Sequence, residues 1–215
     1  MTGSLWYGTV RIISFMVTQT RVRRSREERE QMVLDAAQRL FYERGVHEVG
    51  MDELIGSSGV GKASVYRLYP TKAELIGAYL DRLSDTILAL IDDEAARHDP
   101  AAALHAVVDA IAQDLGQPGF RGCPFNNASI EFPEPGHPAR RAARDYRARL
   151  RERLQSLAAR CTDDETGRAL GDELAVLIDG CYTSAAHLGP DGPAAAGLRL
   201  AHRLIDDHAS GPTTP

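Results

Sequence analysis

Lys62, Ala63, Ser64, Tyr66 and Arg67 put two cations, two hydroxyls and a methyl into six residues, directly after Gly59-Val60-Gly61. Hydroxyls and cations at that density suit phosphate oxygens. Small side chains such as Ala63 and Ser64 let a backbone approach a base edge, where Lys62 can donate to guanine O6 or N7. The chemistry is recognition of a polyanion. The net charge of −5 speaks against such a partner, but its distribution does not. Residues 1–75 hold 11 Lys and Arg against 9 Asp and Glu, while residues 76–215 hold 14 against 21. Both lysines of the chain, Lys62 and Lys72, fall in this one segment. A basic head on an acidic body fits a protein that touches DNA at one end.

The elements that must position these residues are helical throughout, and the fold class is all-α with about nine helices. Ser25 and Glu28 form a capping box. Val33, Ala36, Ala37, Leu40 and Phe41 then recur on one helical face, and Gly45 ends the helix. Two short helices follow, about 52–58 and 62–68, hinged at Gly59, which can take the positive φ of a sharp turn. Leu54, Ile55, Val60 and Val65 are spaced to pack on the first helix. A second capping box, Thr71 with Glu74, opens a long helix. Asp99-Pro100 opens the next, which ends at Gly116. After a Pro/Gly-rich stretch with one short helix near 125–131, Pro138 starts a long helix. Thr162 with Glu165 reads as a third capping box, before a helix closed by Gly189-Pro190. A last helix spans about 193–208.

The run Gly59-Val60-x-Lys62-x-Ser64-x-Tyr66-Arg67-x-Tyr69-Pro70-Thr71-Lys72-x-Glu74-Leu75 resembles the recognition helix of the TetR family of transcriptional regulators. The upstream run Ala37-Gln-Arg-Leu-Phe41-Tyr-Glu-Arg-Gly45 is similar to the first helix of that family. The resemblance implies a homodimer on double-stranded DNA with a palindromic operator, a three-helix head, and a helical body that binds a small-molecule effector and so releases the operator. It implies Lys62 and Ser64 as base or backbone readers, and Tyr66, Tyr69 and Lys72 as phosphate clamps. Arg24 and Arg26, with Arg21 and Arg23, form a basic arm able to reach phosphate or minor groove. Three positions depart from the family: Gly50 stands where Thr is usual, and Ile55 and Ser58 where Ala is.

In the body the residues are less informative. The segment 122–127 resembles a stretch of the ligand-binding body in some family members. Phe120, Cys123, Phe125, Asn126, Tyr146, Cys181 and Tyr182 are the expected effector-pocket residues, with core packing an equal explanation for the aromatics. Cys123 is also a candidate redox or electrophile trigger, whereas Cys161 and Cys181 lie on or beside helix stripes, as core cysteines do. Leu198, Ala201 and Ile205 on one side of the last helix, and Leu200 and Leu204 on another, point to a subunit interface shared with Leu174, Ile178 and Ala185. Arg140, Arg144, Arg147 and Arg151 read as a solvated face paired with nearby Asp145 and Glu152. The seven histidines show no i,i+4 pair and no Cys at ligand spacing, so neither metal nor cofactor is expected. An enzyme would need a pair such as Cys123 and His137, which no third residue orders.

The expected organisation is an extension with a basic arm at 1–24, a DNA-binding head at 25–70, an effector-binding and dimerisation domain at 71–209 and a tail at 210–215. The first residues read as a disordered extension, or as sequence upstream of a native start at Met16. Three widely spaced cysteines form no disulfide framework, which makes the cytoplasm the expected compartment and no membrane an expected partner.

Overall fold

Ser25 accepts a hydrogen bond on Oγ from the Glu28 backbone N–H at 3.0 Å, and its own N–H donates to Glu28 Oε2 at 2.6 Å. That reciprocal cap opens α1, Arg26–Arg44, in the computed structural model, which describes residues 24–209. Helices α2 (Met51–Ser58), α3 (Lys62–Leu68) and α4 (Lys72–Arg97) follow. Then come α5 (Pro100–Leu115), α6 (Pro124–Ile130), α7 (Pro138–Ala159) and α8 (Asp164–Leu188). A π-helical turn at Pro190–Ala194 leads into α9, Ala195–Ala209. Among the described residues there is no strand, and the expected all-α architecture of nine helices stands. No helix among them is long and apolar enough to cross a membrane. Arg21 and Arg23, the possible start at Met16 and the tail from residue 210 lie outside the described residues.

The Thr71–Glu74 box forms as expected: Glu74 N–H donates to Thr71 Oγ1 at 3.1 Å and Thr71 N–H to Glu74 Oε2 at 3.0 Å. The third expected box does not form at Thr162. The cap is Asp163, whose Oδ1 accepts from the N–H groups of both Glu165 and Thr166 at 3.0 Å. An ionised carboxylate is the stronger acceptor and serves two orphan donors where a hydroxyl serves one. Its hydrogen bonds from Thr166, hydroxyl first and backbone next, hold the Asp163 carboxyl down to about 2.

The chain divides into two compact units. One holds the described residues 24–83 together with Pro124–Ala143, so α6 and the start of α7 belong with α1–α3. Its core is Val33, Ala37, Phe41, Val49, Leu54, Val60, Val65, Leu75, Ile76 and Tyr79, all buried. Here Gly77 of α4 admits Pro138: a Cβ at Gly77 would stand 2.9 Å from the Pro138 Cβ. The other unit holds Ser84–Cys123 and the described residues 144–209. It buries Leu88, Leu104, Val108, Ile111, Leu154, Leu170, Leu174 and Ile205. Helices α7 and α8 come into backbone contact there, because Gly167 and Gly171 lack side chains. A Cβ at Gly171 would meet Gln155 Cα at 2.6 Å, and one at Gly167 would meet Ala159 Cα at 2.4 Å.

The arginines of α7 serve this packing more than any solvated face. Arg147 pairs with Asp179 and Arg151 with Asp172, both on α8, while Arg149 and Arg153 pair with Asp85 and Asp92 on α4. Arg144 keeps the expected near neighbour, Asp145.

Two outcomes test these contacts. Gly171→Ala gains roughly 1 kcal/mol of helix propensity but must push α7 and α8 apart, a strain of roughly 1–3 kcal/mol. Urea unfolding should therefore show it less stable than the wild type. The depressed Asp163 carboxyl stabilises the fold above its ordinary value of 3.8, and that contribution disappears as pH falls towards 2. Asp163→Asn, which cannot titrate, should flatten the fall of the urea midpoint between about pH 4 and pH 2.

Candidate nucleic-acid interface

Helix α3 has seven residues, too few to hold itself together in water. Packing holds it instead. Val65 is fully buried, and with Leu54 of α2 and Val60 of the turn it seats both short helices on the core. Each such side chain contributes roughly 1.5–3 kcal/mol by leaving water. The turn between them is fixed by Gly59, whose φ of 64° is the left-handed conformation the motif demands. Ser58, in place of the usual Ala, is buried without cost: its hydroxyl donates to the Ile55 carbonyl at 2.9 Å and accepts from the Val60 N–H at 3.2 Å. Gly50 caps α2 by backbone conformation alone, and Ile55 is half-buried beside the buried Leu54.

With Val65 inward, the opposite side of α3 faces out. Lys62, Ala63 and Arg67 are exposed, Tyr66 is 38% exposed and Ser64 is half-buried. These are the expected recognition residues, and the structure brings them onto one surface. Lys62 Nζ lies 2.8 Å from Asp52 Oδ1, and this hydrogen bond, more than charge attraction, raises the lysine's pKa and keeps it cationic. Arg24 and Arg26 are also exposed, and Arg24 Nη1 reaches the Gly59 carbonyl at 3.5 Å.

The two flanking residues sit differently from the expectation. Tyr69 is buried, and its hydroxyl donates to Glu30 Oε1 at 3.0 Å; burial and then this bond push its phenol far up. To clamp a phosphate it would have to leave Glu30. Lys72 is half-buried and donates to the His47 carbonyl at 3.3 Å; burial lowers its pKa, with Glu131 and Glu48 acting against that.

Glu131, just past α6, escaped the sequence reading. Its carboxylate accepts from the backbone N–H of His47 at 3.1 Å and of Val46 at 3.4 Å, so it ties the α1–α2 loop to α6. The pair is separated by some 85 positions, and no local pattern announces it.

The expected pocket residues are assigned to both units. Phe125, buried, and Asn126 lie on α6 in the unit with the head. Phe120, Cys123, Tyr146, Cys181 and Tyr182 lie in the other unit. Phe120 and Tyr182 meet with ring centroids 5.7 Å apart. The Tyr182 hydroxyl donates to Asp114 Oδ2 at 2.7 Å. Asp114 is a second residue that the sequence reading missed; it is buried, and burial pushes its carboxyl up while Tyr182 opposes the shift. Burial also pushes the Tyr146 phenol up, and Cys123 adds to that. Cys181 is packing: its Sγ contacts the Ala194 carbonyl at 3.4 Å, and a Cβ at Gly197 would stand 2.6 Å from it.

Leu174, Ile178, Ala185, Ala201 and Ile205, expected at a subunit interface, are buried within this chain's own core, and Leu198 is half-buried. The packing of α8 on α9 consumes those stripes. The large apolar side chains left exposed on α8 are Val176 and Leu188.

Residues 33–79 match the family model described as "Bacterial regulatory proteins, tetR family". The chain is 31% identical to SCO4454, a TetR-family transcriptional regulator of Streptomyces coelicolor, over 85% of this chain and 97% of that one, with a TM-score of 0.77. It is 36% identical over 114 residues to the transcriptional activator FasR of Mycolicibacterium smegmatis, 51% of each chain. It is 32% identical over 108 residues to a transcriptional repressor of Mycobacterium tuberculosis, 50% of this chain and 55% of that one. The chain thus spans about half the length of the curated relatives it matches.

Asp52 competes with any phosphate for Lys62. Asp52→Asn should tighten binding to duplex DNA at low salt and steepen the slope of log affinity against log salt by about one. Fluorescence anisotropy at several salt concentrations reads both; an unchanged slope would mean that Lys62 contacts no phosphate.

Proposed function

This chain belongs to the TetR family, and on that premise we propose that it is a sequence-specific DNA-binding transcriptional regulator, acting as a repressor that a small-molecule effector releases from its operator. The observation that carries the reading is the outward face of α3, where Lys62, Ala63, Ser64, Tyr66 and Arg67 stand on a helix held by buried Val65. Two copies related by a twofold axis would set these faces in successive major grooves, on a palindromic operator with half-sites about 34–36 Å apart or slightly more. The second copy would meet the exposed Val176 and Leu188 of α8. The effector would bind in the body near Asp114, Phe120, Tyr146 and Tyr182, and a coupling of about 1–3 kcal/mol is enough to release the operator. Cys123, half-buried and close to Tyr146, is the thiol best placed for a redox trigger in place of an effector, since burial pushes the thiols of Cys161 and Cys181 up.

The test is anisotropy of a duplex from the gene's own upstream region, with excess nonspecific competitor, beside the Lys62→Ala, Tyr66→Ala double variant. Binding that survives competitor, weakens with salt and disappears in the variant supports the reading. Failure to enrich any sequence in a genome-wide binding selection overturns it. Cys123→Ser separates the two triggers: loss of response to oxidant with response to effector retained assigns the thiol.

A further inference from the structure

We propose that His105 of α5 and His202 of α9 form a binding site for a borderline divalent transition-metal ion of the Zn²⁺ class. Their Nδ1 atoms stand 2.7 Å apart. The ring planes differ by 13°, and the centroids are 5.0 Å apart, about what that contact plus two ring radii require. The imidazoles therefore meet edge to edge, with their Nδ1 lone pairs aimed at each other.

The far side of each ring is held by a carboxylate of the other helix. His105 Nε2 lies 3.0 Å from Asp206 Oδ1, and His202 Nε2 lies 3.2 Å from Asp109 Oδ1. An ionised carboxylate only accepts, so each Nε2 carries its hydrogen. Both Nδ1 atoms are then left as facing acceptors, and a cation between them satisfies both lone pairs. One shared proton fits the 2.7 Å contact. A metal ion is the other occupant, and the carboxylate–imidazole pairing is the arrangement that orients metal-bound histidine and raises its basicity.

With Zn–N bonds of about 2.0–2.1 Å at a tetrahedral angle, the two nitrogens sit roughly 3.3 Å apart. The rings must separate by roughly 0.6 Å, shared between two side chains that are 28% and 32% exposed. On binding, the metal ion takes both Nδ1 lone pairs, the one shared proton leaves to water, and both Nε2–H groups stay on their carboxylates. Water fills the remaining positions. No three His, Cys, Asp or Glu among the described residues converge as ligands, so the ion rests on two protein donors. Being 97 positions apart, the two histidines are joined by no sequence spacing.

The test is calorimetric titration of ZnCl₂ into the full-length, tag-free protein, in two buffers of different ionisation enthalpy. One ion per chain with about one proton released is expected. His105→Gln and His202→Gln should each weaken binding about tenfold or more, and Asp206→Asn about tenfold. Cys123→Ser should leave it unchanged, and circular dichroism checks each variant's fold. Two-nitrogen hyperfine structure in the Cu²⁺ spectrum of the wild type is expected independently of any variant. The proposal is overturned if the wild type binds no Zn²⁺, if the double Gln variant binds it undiminished, if only Cys123→Ser loses it, or if the Cu²⁺ spectrum lacks two nitrogens.

Discussion

The inward placement of Val65 governs everything the head presents. A seven-residue helix has one face to bury, and once Val65 is spent on the core the register of its neighbours follows at about 100° per residue. Rotating α3 by one position would bury Ser64 or Tyr66 and bring Val65 to the surface. The left-handed Gly59 and the buried Val60 prevent that by fixing where α3 begins. Recognition chemistry here is thus a consequence of apolar packing: the same side chains on a free peptide would have neither helix nor face.

On and around that face, several polar side chains already have partners within the head. Lys62 holds Asp52, Lys72 holds the His47 carbonyl, and Arg44 pairs with Glu53. Tyr69 donates its hydroxyl to Glu30. The exposed ion pairs Lys62–Asp52 and Arg44–Glu53 are worth little in water, so a phosphate can replace the carboxylate partner at small cost. Glu131 is different in kind. Its two backbone hydrogen bonds tie the α1–α2 loop to α6 within the head's own unit.

The body is built by close approach and charge together. Gly167 and Gly171 let α7 and α8 touch backbone to backbone, while Arg147, Arg151, Arg149 and Arg153 reach acids on α8 and α4. Within it, Asp114 is a buried acid with Tyr182 as a donor.

The helices, most of their caps, the left-handed turn at Gly59 and the outward side chains of α3 were all legible in the order of residues. Each is set by periodicity and by contacts within a few positions, and local order carries both in full. The cap of α8 was misplaced by one residue, because Thr162 and Asp163 are both good caps and geometry alone ranks them. Folding in three dimensions was needed to turn Tyr69 inward to Glu30, to join Glu131 to the head and to bring Asp114 against Tyr182. It was needed as well to consume the α8 and α9 stripes within one chain, and to set His105 facing His202. Periodicity tells which side of a helix is apolar, but not which helix will cover it. Partners that lie 39 to 97 positions apart are chosen by packing.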